Sequence, residues 1–278
     1  MISPNEGKTV VVTGATGFIG SHVVIELEKS GYCVVALEGR EMLNLLDGKA
    51  VHTFLKETDP TFIVHCAGEQ GFRESDQTPE LFYNNVMMFQ HLLKWVRGAG
   101  RGMCKLINLS SGCDNRTDTY YSASKSVIKD FITTSVVHLV PFGVFGMGES
   151  SNRFFPTCFE ACARGEPIKI FQDKLMSYVY VKDLARMIES ILSVEATQPS
   201  YTRRVHAVYD KHTSEYLSDF AEMVCSVTGA AVPIWVSQYN MDEPDYRGFS
   251  NKQGHPFLYE GSILEGIKEY YAEWKNEQ

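Results

Sequence analysis

The chain has no long basic run, and its charge leans the other way. Lys and Arg number 26 against 34 Asp and Glu, a formal net charge of −8 and a pI near 5.5. A polyphosphate backbone needs clustered cations, so nucleic acid is not expected as a partner. No apolar run approaches the ~20 residues that span a bilayer, and the first residues lack the hydrophobic stretch of a secretory leader. A cytoplasmic protein with no membrane partner is expected. Cysteine is sparse and odd in number, seven scattered residues, which suggests reduced thiols rather than a disulfide framework. Cys158 and Cys162 could share a helix face, but no further Cys or His stands at ligand spacing, so no metal site is expected. Repeats and low-complexity segments are also missing. What the 278 residues do supply is apolar mass, 44% of the composition. That is enough to bury a full core, and a nucleotide domain with a smaller appendage is expected.

The organising stretch runs from Thr9 to His22. Val10, Val11 and Val12 form a β-branched run suited to a buried parallel strand, and Gly14, Gly17 and Gly20 follow at G-x-x-G-x-x-G spacing before the amphipathic run Val23 to Lys29. A strand, a glycine turn and a helix place phosphates over the helix N-terminus, so the pattern points to a dinucleotide site. Thr16, Phe18 and Ile19 complete the turn as candidate cofactor contacts.

Cys33 to Leu37 reads as the second strand. Glu38 and Arg40 follow it, where the adenosine ribose is read. A carboxylate suits a free 2′-hydroxyl and an arginine suits a 2′-phosphate, so both NAD(H) and NADP(H) stay open on these residues. Thr61 to Gly68 reads as a further strand ending in small residues, Ala67 and Gly68, beside the cofactor, with His65 expected as a core histidine. Leu81 to Val96 reads as a long helix carrying Asn85, a further candidate contact, in its first turns. Lys105 to Ser111 is a strand ending in hydroxyls, and Val136 to Val140 is another, ending at Pro141. Alternation of strand and helix predicts a Rossmann-type doubly wound parallel sheet over residues 1–141. Residues 142–278 are expected to form mainly a smaller α/β substrate lobe, with some segments returning to the core sheet. There Phe142 to Gly148 reads as a loop. Phe154 to Ala163, Val181 to Leu192 and Ser218 to Thr228 read as helices, and Pro167 to Phe171 and Arg204 to Val208 as strands.

Ser111, Tyr121 and Lys125 form the chemical constellation. Tyr121 stands ten residues after Ser111 and Lys125 four further on, a spacing that shares one helix face. A tyrosine titrates at roughly 10, too high for proton transfer near neutrality unless a nearby cation favours the phenolate. Lys125 supplies that charge and a grip on the nicotinamide ribose. Ser111 orients a carbonyl or alcohol oxygen, although Ser110 takes that role if the strand ends one residue earlier.

At these residues the chain resembles the extended short-chain dehydrogenase/reductase superfamily of nucleotide-sugar epimerases, dehydratases and ketoreductases. Within it, the stretches Arg40 to Asp47, Lys49 to Phe54 and Phe82 to Met88 look like the 4-ketoreductases of the GDP-L-fucose synthase type. The resemblance implies an NADP(H)-dependent 4-ketoreductase acting on a nucleotide-linked deoxy sugar, and a homodimer joined through a four-helix bundle. It places Ser111, Tyr121 and Lys125 on the catalytic triad, Cys113 on an epimerisation cysteine and Arg40 on a 2′-phosphate contact. Asn152, Arg153 and Lys174 fall among the substrate-binding positions. Three departures stand out. Arg153 replaces the histidine acid of epimerisation, the segment from Ser111 to Tyr121 is short, and an arginine near Met176 that grips the diphosphate is missing. A dehydratase is disfavoured because Gly112 and Cys113 stand where its acid belongs. An NAD-retaining 4-epimerase is the alternative, followed by a non-catalytic NAD(P)-sensing protein, which has no need of Tyr121 and Lys125 together.

Overall fold

The structure is a computed structural model that describes residues 5–70, 78–98, 104–131, 133, 135–197, 204–209, 214–239 and 261–277. In chain order the elements are β1 (Thr9–Thr13), α1 (Phe18–Lys29), β2 (Cys33–Leu37), α2 (Gly48–Thr58), β3 (Phe62–His65), α3 (Pro79–Gly98), β4 (Lys105–Leu109), α4 (Tyr120–Lys129), β5 (Val136–Pro141) and β6 (Gly143–Phe145). They continue with α5 (Phe154–Arg164), β7 (Ile168–Asp173), β8 (Leu175–Met176), β9 (Tyr178–Tyr180), α6 (Val181–Thr197), β10 (Arg204–Ala207), β11 (Glu215–Tyr216), α7 (Leu217–Thr228), β12 (Ile234–Tyr239) and α8 (Ile263–Asn276). Two compact units emerge, Met1–Val140 with Ala185–Val205 and Pro141–Leu184 with His206–Gln278.

The main sheet has the order β10-β5-β4-β3-β1-β2. From β2 through β5 every neighbouring pair is parallel, with Val10 opposite both Val34 and Phe62. Val10, Val11, Val12, Ile63, Val64, Leu106 and Ile107 are fully buried. Continuous apolar strands of this kind require helices on both faces, which is the doubly wound arrangement. The order reverses between β1 and β3, so a crevice is expected at their carboxyl ends. Under one face, Val51 and Leu55 of α2 and Met88, Phe89, Leu92, Leu93 and Val96 of α3 close a core with Val11, Ile63 and Leu106.

In the second unit β6 pairs with β9 and β7 with β12, both parallel. Its core is aromatic: Phe145 lies 4.3 Å from Phe155 and 5.5 Å from Tyr180 between ring centroids. The expected loop over residues 142–148 is corrected here, because Gly143–Phe145 is a strand. Two glycines hide it in the sequence, yet both are needed. A Cβ on Gly143 would lie 2.4 Å from the Tyr178 ring, and Gly146 takes φ +143.

Candidate active site

The site begins at the turn between β1 and α1. Gly14 adopts φ +67, and a Cβ there would lie 2.7 Å from the backbone nitrogen of Ala67. At Gly20 the conflict is harsher, with a Cβ only 2.0 Å from the Gly14 carbonyl oxygen. These two positions let the turn, the end of β3 and the first turn of α1 meet backbone to backbone. Gly17 caps α1 without any side chain, so the N–H groups of Phe18 and Ile19 begin the helix uncapped by a side chain, an arrangement that receives a phosphate.

Beside the turn, a cavity of about 170 Å³ is lined by Thr13, Gly14, Thr16, Glu38, Arg40, Leu43, Asn44, Leu45, Ala67, Gly68, Glu69 and Met88, among others. Six of the residues singled out in the sequence, Gly14, Thr16, Glu38, Arg40, Ala67 and Gly68, meet here. Its floor is fixed by polar contacts. Thr13 Oγ1 accepts the Ala67 N–H at 3.2 Å and stands 2.8 Å from His65 Nδ1. Burial depresses His65 to about 3, so the ring stays neutral and shares one proton with the threonine hydroxyl across this contact. His65 is a core residue, as expected. At the mouth, Arg40 forms an ion pair with Glu69. Glu69 also accepts Asn84 Nδ2 at 2.8 Å, while Asn85 accepts the Glu69 N–H at 2.8 Å and donates to its carbonyl at 2.9 Å. Glycine turn, helix terminus and a cavity holding both a carboxylate and a guanidinium at the ribose end fit a dinucleotide.

The second half of the site lies at the end of β4. The strand stops at Leu109, so Ser110 and Ser111 stand just past it, both buried. Ser110 Oγ donates to Asp114 at 2.9 Å. Ser111 Oγ accepts from the Cys113 backbone N–H at 3.4 Å and from its Sγ at 3.2 Å. Across from them α4 starts under a capping box in which Thr119 and Ser122 satisfy each other's backbone N–H. That cap fixes where Tyr121 and Lys125 project. Lys125 Nζ donates to the Leu109 carbonyl at 2.9 Å and lies 5.6 Å from the centroid of the Tyr121 ring. Burial lowers the lysine to about 8, against the pull of Cys113, Cys66 and Asp114. Burial likewise raises the Cys113 thiol, opposed by its bond to Ser111, so at neutral pH it is a thiol donating to the serine rather than a thiolate.

Asp114, fully buried, accepts a 2.6 Å bond from Arg204 of β10. Neither it nor Glu69 is singled out by the sequence. Their partners are distant in the chain, Arg204 lying 90 positions from Asp114 and Arg40 lying 29 from Glu69, so no local pattern marks either acid. Of the remaining candidates, Pro141 closes β5, and Asn152, Arg153 and Lys174 belong to the second unit. Asn152 accepts from Ser150 at 2.9 Å on the surface. Arg153 faces Glu149 at 3.8 Å, and burial raises that carboxyl to about 7. Lys174 is half-buried between β7 and β8. Among the described residues no group of three or more His, Cys, Asp or Glu could hold a metal, and no helix is long and apolar enough to cross a membrane.

A parallel sheet with a glycine turn at its switch point and a Tyr-x-x-x-Lys helix beside a hydroxyl-ended strand defines a dinucleotide-dependent oxidoreductase of the short-chain dehydrogenase/reductase type. Residues 10–202 match the model of the NAD dependent epimerase/dehydratase family, and the chain belongs to that family. It is 29% identical over 231 residues to a dTDP-4-dehydro-6-deoxy-D-allose reductase of Streptomyces bikiniensis, covering 65% of this chain and 71% of that one. A probable UDP-glucuronate 4-epimerase of Rhizobium meliloti is 26% identical over 272 residues, 81% of this chain and 78% of the other. Among solved structures, a dTDP-4-dehydrorhamnose reductase of Bacillus anthracis in complex with NADP superposes with a TM-score of 0.79 at 20% identity, covering 96% and 98% of the two chains. A GDP-L-fucose synthetase of Naegleria fowleri bound to NADP gives 0.76 at 17% identity, with 99% and 95% covered.

Proposed function

We propose that the protein is an NADP(H)-dependent 4-ketoreductase of a nucleotide-linked deoxy sugar, acting in the cytoplasm as a homodimer. The observation that carries this reading is the buried Lys125, anchored on the carbonyl at the end of β4 and set over the ring of Tyr121. It supports a phenol that loses and regains a proton near neutrality. A dTDP-4-dehydrorhamnose reductase and a GDP-L-fucose synthetase, each bound to NADP, share the fold, and a dTDP-4-dehydro-6-deoxy-D-allose reductase is 29% identical over 231 residues.

In this reading the glycine turn and the N-terminus of α1 hold the pyrophosphate, Arg40 holds a 2′-phosphate, and Ala67, Gly68, Asn85 and Pro141 line the path to the nicotinamide. The cofactor, when bound, supplies hydride to C4 of the sugar. Ser111 holds the C4 oxygen, and Tyr121 delivers the proton to it from its hydroxyl. Lys125 favours the phenolate left behind and holds the ribose. Ser111 is preferred over Ser110 because Ser110 already gives its proton to Asp114. Asn152, Arg153 and Lys174 are assigned to the nucleotide and sugar. Glu38 at the ribose end of the cavity favours a second reading, a 4-epimerase that retains NAD.

Epimerisation at C3 and C5 is not part of the reading. It needs a base to remove the proton alpha to the ketone and an acid to return one from the other face. Cys113 is held as a thiol by burial, and a guanidinium, which is no general acid, stands at Arg153 where the second proton donor is needed. With NADPH and a 4-keto-6-deoxy nucleotide sugar in deuterium oxide, the product is expected to carry no deuterium at C3 or C5. Deuterium entering there at the rate of reduction overturns the assignment. Tight co-purification of NAD favours the epimerase.

A further inference from the structure

We infer that Glu69 is a specificity-determining residue for the cofactor: it competes with a ribose 2′-phosphate for Arg40 and so sets how strongly the site prefers a 2′-phosphorylated nucleotide. The inference rests on the assignment of Arg40 to the adenosine ribose. Its basis is the way the structure builds the Glu69 carboxylate into the cavity wall. The residue lies four positions past the end of β3, and its main chain is clamped on both sides by the Asn85 side chain, at 2.8 and 2.9 Å. Its carboxylate oxygen Oε1 receives Asn84 Nδ2 at 2.8 Å and the Arg40 guanidinium on the same atom. Helix α3 thus holds the acid from two consecutive positions, while Arg40 hangs from a surface loop with 64% of its side chain exposed, against 32% for Glu69. The fixed partner is the carboxylate and the movable one is the guanidinium.

Among the described residues lining the cavity Arg40 is the single cation, and the carboxylates Glu38 and Glu69 share that wall with it. A 2′-phosphate entering here competes with Glu69 for the guanidinium, so that one charge-assisted pair is weakened in exchange for a stronger, doubly charged one. A 2′-hydroxyl demands no such exchange, so NAD(H) leaves the Arg40–Glu69 pair in place. Because the pair is partly exposed, its hold is modest. An exposed ion pair weighs about 0.2–1 kcal/mol, equivalent to about a 1.5- to 5-fold change in affinity.

The test is calorimetric titration of the full chain with adenosine 2′,5′-bisphosphate and with adenosine 5′-monophosphate, which needs no turnover. Glu69→Gln keeps the acceptor for Asn84 and removes the charge. It is expected to tighten the bisphosphate about 1.5- to 5-fold and leave the monophosphate within error. In an Arg40→Ala background the same substitution is expected to change neither ligand. Three outcomes overturn the proposal. If Glu69→Gln tightens neither or both ligands equally, Glu69 does not set the preference. If the gain persists without Arg40, Glu69 repels the phosphate directly and does not compete for the guanidinium. If Arg40→Ala weakens both ligands alike, the ribose assignment itself fails, which the Arg40 single variant reports independently of Glu69. Circular dichroism on each variant confirms that the fold is intact.

Discussion

Gly20 and Lys125 show how much one position decides. At Gly20 an added methyl would meet the Gly14 carbonyl at 2.0 Å, and at Gly17 the nearest atom is that same oxygen at 3.2 Å. The Gly20 conflict is with backbone that cannot rotate away, so Gly20→Ala is expected to cost at least about 2 kcal/mol in urea unfolding, and Gly17→Ala clearly less. Equal costs would mean that α1 does not pack as described. At Lys125, burial brings the ammonium down to about 8. The charged form is present below that value and is lost as pH rises through it. Cofactor affinity, followed by nucleotide fluorescence quenching, is therefore expected to hold from pH 6 to 7.5 and fall above about pH 8. An affinity that stays flat to pH 9.5 would rule out a charged Lys125 as the ribose grip.

At the scale of elements, what could be read in the sequence depended on how local the signal is. Strands β1, β3, β4 and β5 announce themselves as β-branched or apolar runs because both their faces are covered. Helix α4 is legible from the Tyr-x-x-x-Lys spacing, while its Thr119 cap is found only in the structure. Helix α2 escaped although its signals are present: Asp47 accepts from the N–H groups of Lys49 and Ala50, Val51 and Leu55 stand four apart, and Asp59 ends it at φ +43. Helix α8 escaped in the same way, with Ile263, Ile267 and Tyr270 on its buried face. Contacts such as Asp114 to Arg204, 90 positions apart, leave no local trace, which is why the support of the β4 end stayed hidden. That pair ties the segment after β4 to β10. Arg204→Met strands a fully buried carboxylate and is expected to cost on the order of 3 kcal/mol, and Asp114→Asn added to it should recover part of the loss. Additive losses in urea titrations would show that the two residues do not act as a pair.

Over the whole molecule, one buried acid gives stability a pH dependence of its own. Burial raises the Glu149 carboxyl from 4.5 to about 7, against the pull of the Gly146 N–H, Arg153 and Tyr270. Between those values the folded chain keeps a proton that the unfolded chain has lost, so stability falls as pH rises through the window. The span corresponds to roughly 3 kcal/mol. Glu149→Gln keeps the acceptor for Gly146 and removes the titration. The difference between variant and parent in urea midpoints is expected to be small at pH 4.5 and to favour the variant increasingly up to pH 7.5. A difference that does not change with pH would mean that Glu149 titrates normally.

The assembly is the remaining question at this scale, and the first unit bears on it. Helices α3 and α4 pack on each other, and their outer surface keeps large side chains in solvent: Tyr83 is 59% exposed, Tyr120 43% and Val127 39%. Apolar and aromatic residues on adjacent helices form the kind of face that a two-fold copy of itself covers, since an isologous interface needs one self-complementary patch. Two helices from each copy then make a four-helix bundle. Light scattering at micromolar concentration is expected to give about twice the 31.3 kDa chain mass. Tyr83→Glu combined with Val127→Glu puts like charges on that face of both copies and is expected to yield monomer with an unchanged circular dichroism spectrum. A parent protein that runs at 31.3 kDa would refute the dimer. A dimer indifferent to both substitutions would place the interface on another face.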